Sequence, residues 1–490
     1  MTIDDPTFAS AEALTAAYAA RTLSPVEVTT AVFERIERLD PALTAFVVRL
    51  RESALEAARA AERAYAEGED GRRSLLGVPV TIKDQIPIAG VKMTQGSQIW
   101  NDVPPSSADA PEVERIKAAG GVIVGTTNVP EFGWKGDTGN TTQGPTRNPF
   151  DVALSAGGSS GGAAAAAATG MGTLGVGGDG AGSIRIPAAL SGTFGIKPSH
   201  GLVPWHPGSA LDHIVCQGPI TRSVADAAAL LDVIALPHSR DRLSQNARGI
   251  DYRAAARRDV RGLRAAWLPS LPYTDVEPEV VAVAEQAVRD LEAAGVEVEQ
   301  VTAPWENPLP ILETFFATAY ASMQLTGWAP GGPTGEEALA LLGPGLRRLV
   351  ERGGEISGAE LAAAYTRRLE LYGEVRSVLA PYDVLLTPTL PVTAFPAGQD
   401  HPETVCGRPS SPYGWLAFTY PFNLTGHPAA TAPAGLSQGL PVGLQIVGQW
   451  RDDATVLAVA AALEQVRPWM PSLRAATERL LAGTTAAPAG

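Results

Sequence analysis

Cysteine is almost missing from this chain: it has two, Cys216 and Cys406, far apart in a sequence of 490 residues. Two such thiols build no disulfide framework, and they fit packing or pocket-lining roles in a reducing, cytoplasmic setting. Histidine is scarce too, with six. No H-E-x-x-H and no paired-cysteine spacing exists, so metal catalysis is discounted and no cofactor is expected. Basic residues are outnumbered, 38 Lys and Arg against 52 Asp and Glu. The net charge of −14 is spread along the chain rather than gathered in a tail. Phosphate binding needs a basic face, so nucleic acid is not an expected ligand. Long apolar runs are also lacking. The stretch from Ala163 to Ala168 is too short and too alanine-rich to span a bilayer, and no membrane contact is expected. The opening MTIDDPTFAS has neither a basic n-region nor an apolar h-region, so no secretory signal is expected.

What is present is material for a core, with 45% hydrophobic and 18% charged residues. No repeat or polar linker splits the chain, which predicts one large domain with a lobe near residues 305–415. Ser24-Pro25-Val26-Glu27 reads as a capping box, and Val28, Val32, Ile36 and Leu39 then recur at helical spacing up to Asp40-Pro41. A second helix follows from Ser53 to about Glu67. Further helices are predicted over 112–119, 224–234, 277–294, 358–379 and 452–466. Short apolar runs at 76–82, 122–124, 172–177, 263–268, 296–301, 384–386 and 440–447 alternate with them. This alternation predicts a layered α/β sheet covered by helices on both faces. The tail from Thr484 is expected to fray.

Small residues concentrate around three serines, in Gly157-Gly158-Ser159-Ser160-Gly161-Gly162 and Gly177-Gly178-Asp179-Gly180-Ala181-Gly182-Ser183-Ile184-Arg185. Glycine lets backbone approach a ligand closely, and a serine hydroxyl among free N–H groups is the raw material of acyl transfer. Its base is not a histidine: His200, His206, His213, His238, His401 and His427 follow no triad order or spacing. G-x-S-x-G matches twice, on Ser159 and Ser160, but residues 143–156 read as loop where a nucleophile elbow requires a strand. Gly175 to Gly180 fits G-x-G-x-x-G without a clean helix start after it, so a dinucleotide site is not expected. Lys83 ends the apolar run Pro79-Val80-Thr81-Ile82. There low dielectric favours its neutral amine, which can take a proton from a hydroxyl. A Lys83–Asp84 pair, or a lysine snorkelling from the strand end, is the alternative.

A strand-end lysine, a G-G-S-S-G-G loop and a G-x-D-x-G-G-S-[IV]-R-x-P segment together resemble the amidase signature family of serine hydrolases. The resemblance runs from about residue 8 to 467. It includes Gly125 to Phe132, Gly195 to Pro198, Gly218 to Ser223, and Phe418 to Gly448 with Asn423-Leu424-Thr425-Gly426 and Leu440 to Gln445. It implies the family's fold, a large mixed, twisted sheet with helices on both faces. It also implies that Ser183 is the nucleophile, Ser159 a bridging serine on a cis peptide bond, and Lys83 the base. The backbone N–H groups of Gly180, Ala181, Gly182 and Ser183 are then expected to converge on the oxyanion. Ser160 is read as hydrogen-bonding support, and Asp179 with Arg185 as a structural pair shaping the turn. Ala181 departs from the family's usual glycine, resembling a bacterial branch that acts on linear and cyclic oligoamides. Its methyl group would strain the loop if that residue needs a positive φ.

The implied organisation is an N-terminal helical layer at 1–70, a signature core at 71–304, a variable substrate-pocket segment at 305–415 and a C-terminal return to the sheet at 416–490. The variable stretch carries Phe315, Phe316, Tyr320, Trp328, Tyr413 and Trp415. The expected substrate is a small amide, aryl or alkyl, or a carbamate, urethane or ester, in an apolar pocket of a monomer or homodimer. Two other readings stand beside this one. The amidase-like component of a tRNA-dependent glutamine amidotransferase is disfavoured by the chain's acidity and by the stretch after residue 305. An α/β-hydrolase-type esterase would use Ser159 or Ser160.

Overall fold

A computed structural model describes residues 3–69, 75–247 and 249–485. The tail expected to fray lies, past Thr485, outside the described residues. Eleven strands form one sheet: β1 (Phe46–Arg49), β2 (Pro79–Lys83), β3 (Val122–Thr127), β4 (Leu174–Asp179), β5 (Phe194–Lys197), β6 (Cys216–Thr221), β7 (Arg264–Trp267), β8 (Glu297–Gln300), β9 (Val384–Pro388), β12 (Ala429–Ser437) and β13 (Leu440–Gly448). Between them in sequence lies a small ribbon of β10 (Thr404–Val405) and β11 (Arg408–Pro409). The sheet order is β1-β3-β2-β4-β6-β5-β12-β13-β9-β7-β8. Parallel pairing holds for β3-β2-β4 and for β9-β7-β8, and antiparallel pairing for the middle. This is the mixed α/β sheet that the alternating pattern predicts.

Both faces are buried, and the alternation of side chains along single strands shows it. Ala265 and Trp267 of β7 enter one hydrophobic cluster while Ala266 enters another. Val384 and Leu386 of β9 likewise part from Leu385. Successive residues of a strand point to opposite faces, so two cores require helices on both sides. The helices Val224–Ile234, Pro278–Ala293 and Asp453–Val466 supply one core, and Leu309–Thr326, Pro344–Glu355 and Gly358–Leu379 the other. The helix Pro25–Leu43 carries both bonds of its capping box, and it runs through Pro41 rather than ending there. Among the described residues no helix is long and apolar enough to cross a membrane.

Beside the serines, two helices escape a reading of local pattern. The alanine run forms the helix Gly161–Ala168, wholly buried, so it has no polar face to mark a period. The stretch after Ser183 forms the helix Arg185–Ser191 despite Pro187. Proline in a first turn removes an N–H that has no intrahelical acceptor, so the helix tolerates it. The stretch 305–415 supplies β9 to the sheet between β13 and β7.

Candidate active site

β2 is buried at all five residues and lies between β3 and β4, parallel to both. Parallel strands end side by side, so Lys83 comes to rest beside the end of β4, in the crevice where α/β sheets place ligands. The chain then turns sharply: the N–H groups of Gln85 and Ile86 both donate to Lys83 O. Lys83 is 2% exposed. Its Nζ is hydrogen-bonded to Ser159 Oγ at 2.7 Å and to Gly178 O at 3.4 Å. Burial lowers its pKa from the ordinary lysine value to about 7, against the opposing pull of Asp179. No Lys83–Asp84 pair forms, because the Asp84 carboxylate accepts the backbone N–H and the hydroxyl of Thr94 instead.

The Ser159 loop is shaped by close approach. Gly157 has φ +79°, and a Cβ there would lie 2.9 Å from Pro187 Cα. A Cβ on Gly158 would lie 2.6 Å from the backbone of Asp137. The Gly158–Ser159 peptide is cis. Ser160 ties this loop to the next: its N–H donates to Ser183 O at 3.1 Å, and its hydroxyl donates to Gly178 O at 3.2 Å. The strand–turn–helix that a nucleophile elbow demands is present, but it surrounds Ser183, between β4 and the helix Arg185–Ser191. Ser159 and Ser160 have a helix after them and no strand over 143–156. Gly175 and Gly177 of the glycine fingerprint lie inside β4 rather than in a phosphate-binding turn. No histidine is hydrogen-bonded to any of the three serines among the described residues. His427 is buried and its pKa is lowered to about 3.

Asp179 and Arg185 do pair, both fully buried, and they organise the turn between them. The Asp179 carboxylate accepts N–H groups from Gly182 at 2.7 Å, Ile184 at 3.1 Å and Arg185 at 3.4 Å. Burial alone would raise its pKa, but the Arg185 guanidinium and the hydrogen bonds outweigh it and hold the carboxyl well below the usual range. Arg185 also donates to Thr419 O, Gln445 Oε1 and Asn423 Oδ1 at 2.8, 2.7 and 2.6 Å. Asn423 Nδ2 donates to Asp179 O and Oδ1, both at 2.9 Å. Thr419 Oγ1 donates to Ala181 O at 2.6 Å. Residue-by-residue reading missed these three partners as site residues. All three lie within the segment Phe418 to Gly448 that carries the family resemblance, Asn423 and Gln445 in its named motifs and Thr419 outside them.

This network corrects the expected oxyanion donors. The N–H of Gly182 is already spent on Asp179, so it is not one of them. The N–H groups of Gly180, Ala181 and Ser183 meet no acceptor among the described residues, and Gly180 and Ser183 are the two half-exposed points of an otherwise buried loop. Ala181 does not have a positive φ; the left-handed residue is Gly182, at φ +126°. The methyl group of Ala181 is therefore tolerated.

The six aromatic residues singled out in 305–415 are all buried. Phe316 reaches the Ser183 loop, its ring edge 3.6 Å from where a Cβ on Gly180 would stand. It packs edge-on against Tyr413, whose hydroxyl donates to Trp134 O. Trp134 and Tyr413 also face a cavity of about 440 Å³ between the helices Leu309–Thr326 and Pro344–Glu355. Glu313, Arg348, Arg352 and Asp400 share that lining, so this cavity is mixed rather than apolar.

The Amidase family model matches residues 27–457. An acylamidase of Rhodococcus erythropolis is 37% identical over 470 residues, covering 94% of this chain and 96% of that protein. A glutamyl-tRNA(Gln) amidotransferase component of Moorella thermoacetica is 36% identical over 466 residues, covering 90% of this chain and 93% of that protein. Among solved structures, a bacterial aryl acylamidase of the amidase signature family superposes with a TM-score of 0.89 at 32% identity, covering 96% of this chain and 98% of that one.

Proposed function

Because the chain belongs to the amidase signature family of serine hydrolases, which act on carbon–nitrogen bonds, we propose that it hydrolyses small aryl or alkyl carboxylic amides through an acyl-enzyme on Ser183. Carbamates fall within the same proposal. The observation that carries it is the 2.7 Å contact between Lys83 Nζ and Ser159 Oγ, with the amine brought to a pKa of about 7. An amine poised there is substantially neutral at physiological pH, as a general base must be.

In the proposed cycle Lys83 takes a proton from Ser159 while Ser159 takes one from Ser183, whose Oγ bonds to the substrate carbonyl carbon. The N–H groups of Gly180, Ala181 and Ser183 stabilise the resulting oxyanion. Such a donor is worth about 3 kcal/mol of barrier. Collapse breaks the C–N bond, Ser159 delivers its proton to the leaving nitrogen, and Lys83 returns the one it holds to Ser159. Water then attacks the acyl-enzyme by the same relay in reverse roles. The phenyl ring of Phe316 beside Gly180 supports an aryl or aliphatic group near the reacting carbonyl. The acylamidase and aryl acylamidase likenesses point the same way.

The test is turnover by the isolated chain, without partner proteins, of an acyl 4-nitroanilide, an aryl carbamate and a simple primary amide. We expect 4-nitroaniline release from the anilide, lost by at least about 1,000-fold in Ser183→Ala. Inactivity on all three substrates, or a Ser183→Ala enzyme that keeps its turnover, would refute the reading. Activity appearing only with partner proteins and a charged tRNA would favour the amidotransferase.

A further inference from the structure

The Ser159 loop rests on the segment 135–138. The backbone of Asp137 packs against Gly158, its N, C and O lying 2.9, 2.6 and 2.7 Å from where a Cβ on that glycine would stand. The side chain of Asp137 reaches the same loop through Ser155. The Ser155 hydroxyl donates to Asp137 Oδ1 at 2.5 Å, and Ser155 Oγ in turn accepts the N–H of Gly157 at 3.0 Å. One residue further on, Thr138 Oγ1 accepts the N–H of Gly161 at 2.9 Å. Asp137 and Ser155 are both fully buried.

A carboxylate in that position needs compensation, because a buried charge is unfavourable unless it is paired. Burial raises the pKa of Asp137, and Lys135 leads the groups that oppose this. Oδ1 has Ser155, but Oδ2 has no hydrogen-bond partner among the described residues and stands 3.4 Å from Lys135 Nζ. Lys135 is itself only 9% exposed and is fixed from its other side. Its Nζ donates to Asp400 Oδ1 at 2.6 Å and lies 5.9 Å from the centre of the Trp134 ring. Asp400 belongs to the stretch 305–415, so one ammonium joins that stretch to the floor of the Ser159 loop.

We propose that Lys135 is a positioning residue, which secures the chain from Asp137 through Ser155 to Gly157 and thereby the contact of Ser159 with Lys83. The proposal rests on the acyl-enzyme reading above, and Lys135 acts through Asp137 rather than on the reacting atoms. Without the ammonium, the Asp137 carboxylate is left buried and unpaired, so it must take up a proton or turn away to find a partner. Either change alters what the Ser155 hydroxyl meets, and the Gly157 N–H then loses a fixed acceptor. Ser159 follows two residues later and must stay within hydrogen-bond reach of both Lys83 and Ser183 for the relay to run. Proton transfer needs heavy atoms within about 3 Å, so a small displacement of this loop is felt in the chemical step.

The experiment measures 4-nitroanilide turnover and thermal melting in the wild-type chain, Lys135→Met, Lys135→Arg, Ser155→Ala and the double variant Lys135→Met/Ser155→Ala. Lys135→Met should lower kcat about tenfold with KM within about twofold of wild type, at a temperature where the melt shows it folded, since a charge-assisted tie is lost and substrate binding is not. Lys135→Arg, which keeps the charge, should recover most of kcat. Ser155→Ala cuts the same chain without changing any charge and should lower kcat to a similar extent. Adding Lys135→Met to it should lower the melting temperature further but reduce kcat by no more than about twofold again. A Lys135→Met enzyme that melts earlier yet keeps its kcat, or kcat losses that multiply in the double variant, would overturn the proposal. Should Lys135→Met not fold, Ser155→Ala decides, and full kcat there overturns the proposal. If Ser183→Ala still turned over the anilide, the acyl-enzyme reading beneath it would be what failed.

Discussion

In the proposed cycle Lys83 serves as the base because it is costly to charge where it stands. Burial disfavours the ammonium, and the carboxylate that opposes this, Asp179, is already committed to Arg185 and so offers it little. With its pKa near 7, the amine acts only when deprotonated, so kcat/KM should rise tenfold per pH unit below about 7 and level off above it. Initial rates on an anilide between pH 5 and 9 would check this; a profile flat through 7 would remove Lys83 as the base. Lys83→Met, close in length and apolar, should lower kcat about 1,000-fold while the protein stays folded.

At the scale of elements, the turn from β4 into the helix Arg185–Ser191 decides what the serine can do. Asp179 takes three N–H groups of that turn and leaves those of Gly180, Ala181 and Ser183 without partners among the described residues. Gly182 makes this possible: at φ +126° its Cβ would lie 2.5 Å from Thr419 Oγ1 and 2.8 Å from Thr419 Cβ. Gly182→Ala must therefore displace Thr419 or the loop. We expect kcat to fall about 100-fold, the cost of misplacing oxyanion donors, with a smaller change in KM. Full activity in that variant would show that the donors are not set by this turn. Much of this region was open to local reading, since glycine, serine and a strand-end lysine carry their constraints in their own chemistry. The helix after Ser183 was not, because Pro187 masks it. Nor were β6 and β12, whose glycine, proline and small residues give no apolar alternation.

The molecule as a whole tolerates several buried acids that the site does not use. Glu112 is 1% exposed, and neither of its carboxylate oxygens has a hydrogen-bond partner. Burial raises its pKa from 4.5 to about 8, against the milder lowering by its own backbone N–H, Arg115 and Arg240. A raised folded pKa means that the folded state holds a proton the unfolded chain has lost. The stability this contributes is full below about pH 4.5 and is lost as pH rises through about 8. Glu112→Gln mimics the protonated acid. It should match the wild type near pH 5 and exceed it by about 2 kcal/mol near pH 9, read from urea unfolding at both values. Equal stability at pH 9 would show that Glu112 ionises freely in the fold.

The sequence by itself determined the family and the two-faced sheet. A lysine closing an apolar strand, serines set in glycine and helices alternating with short apolar runs are properties of neighbouring residues, so they survive without a third dimension. Only the tertiary structure decided which donors stay free, which carboxylate takes Gly182, and how Thr419, Asn423 and Gln445 reach a turn more than 200 residues earlier in the chain. Such hydrogen-bond partners are set by which strands lie side by side, and that order is not written in local periodicity.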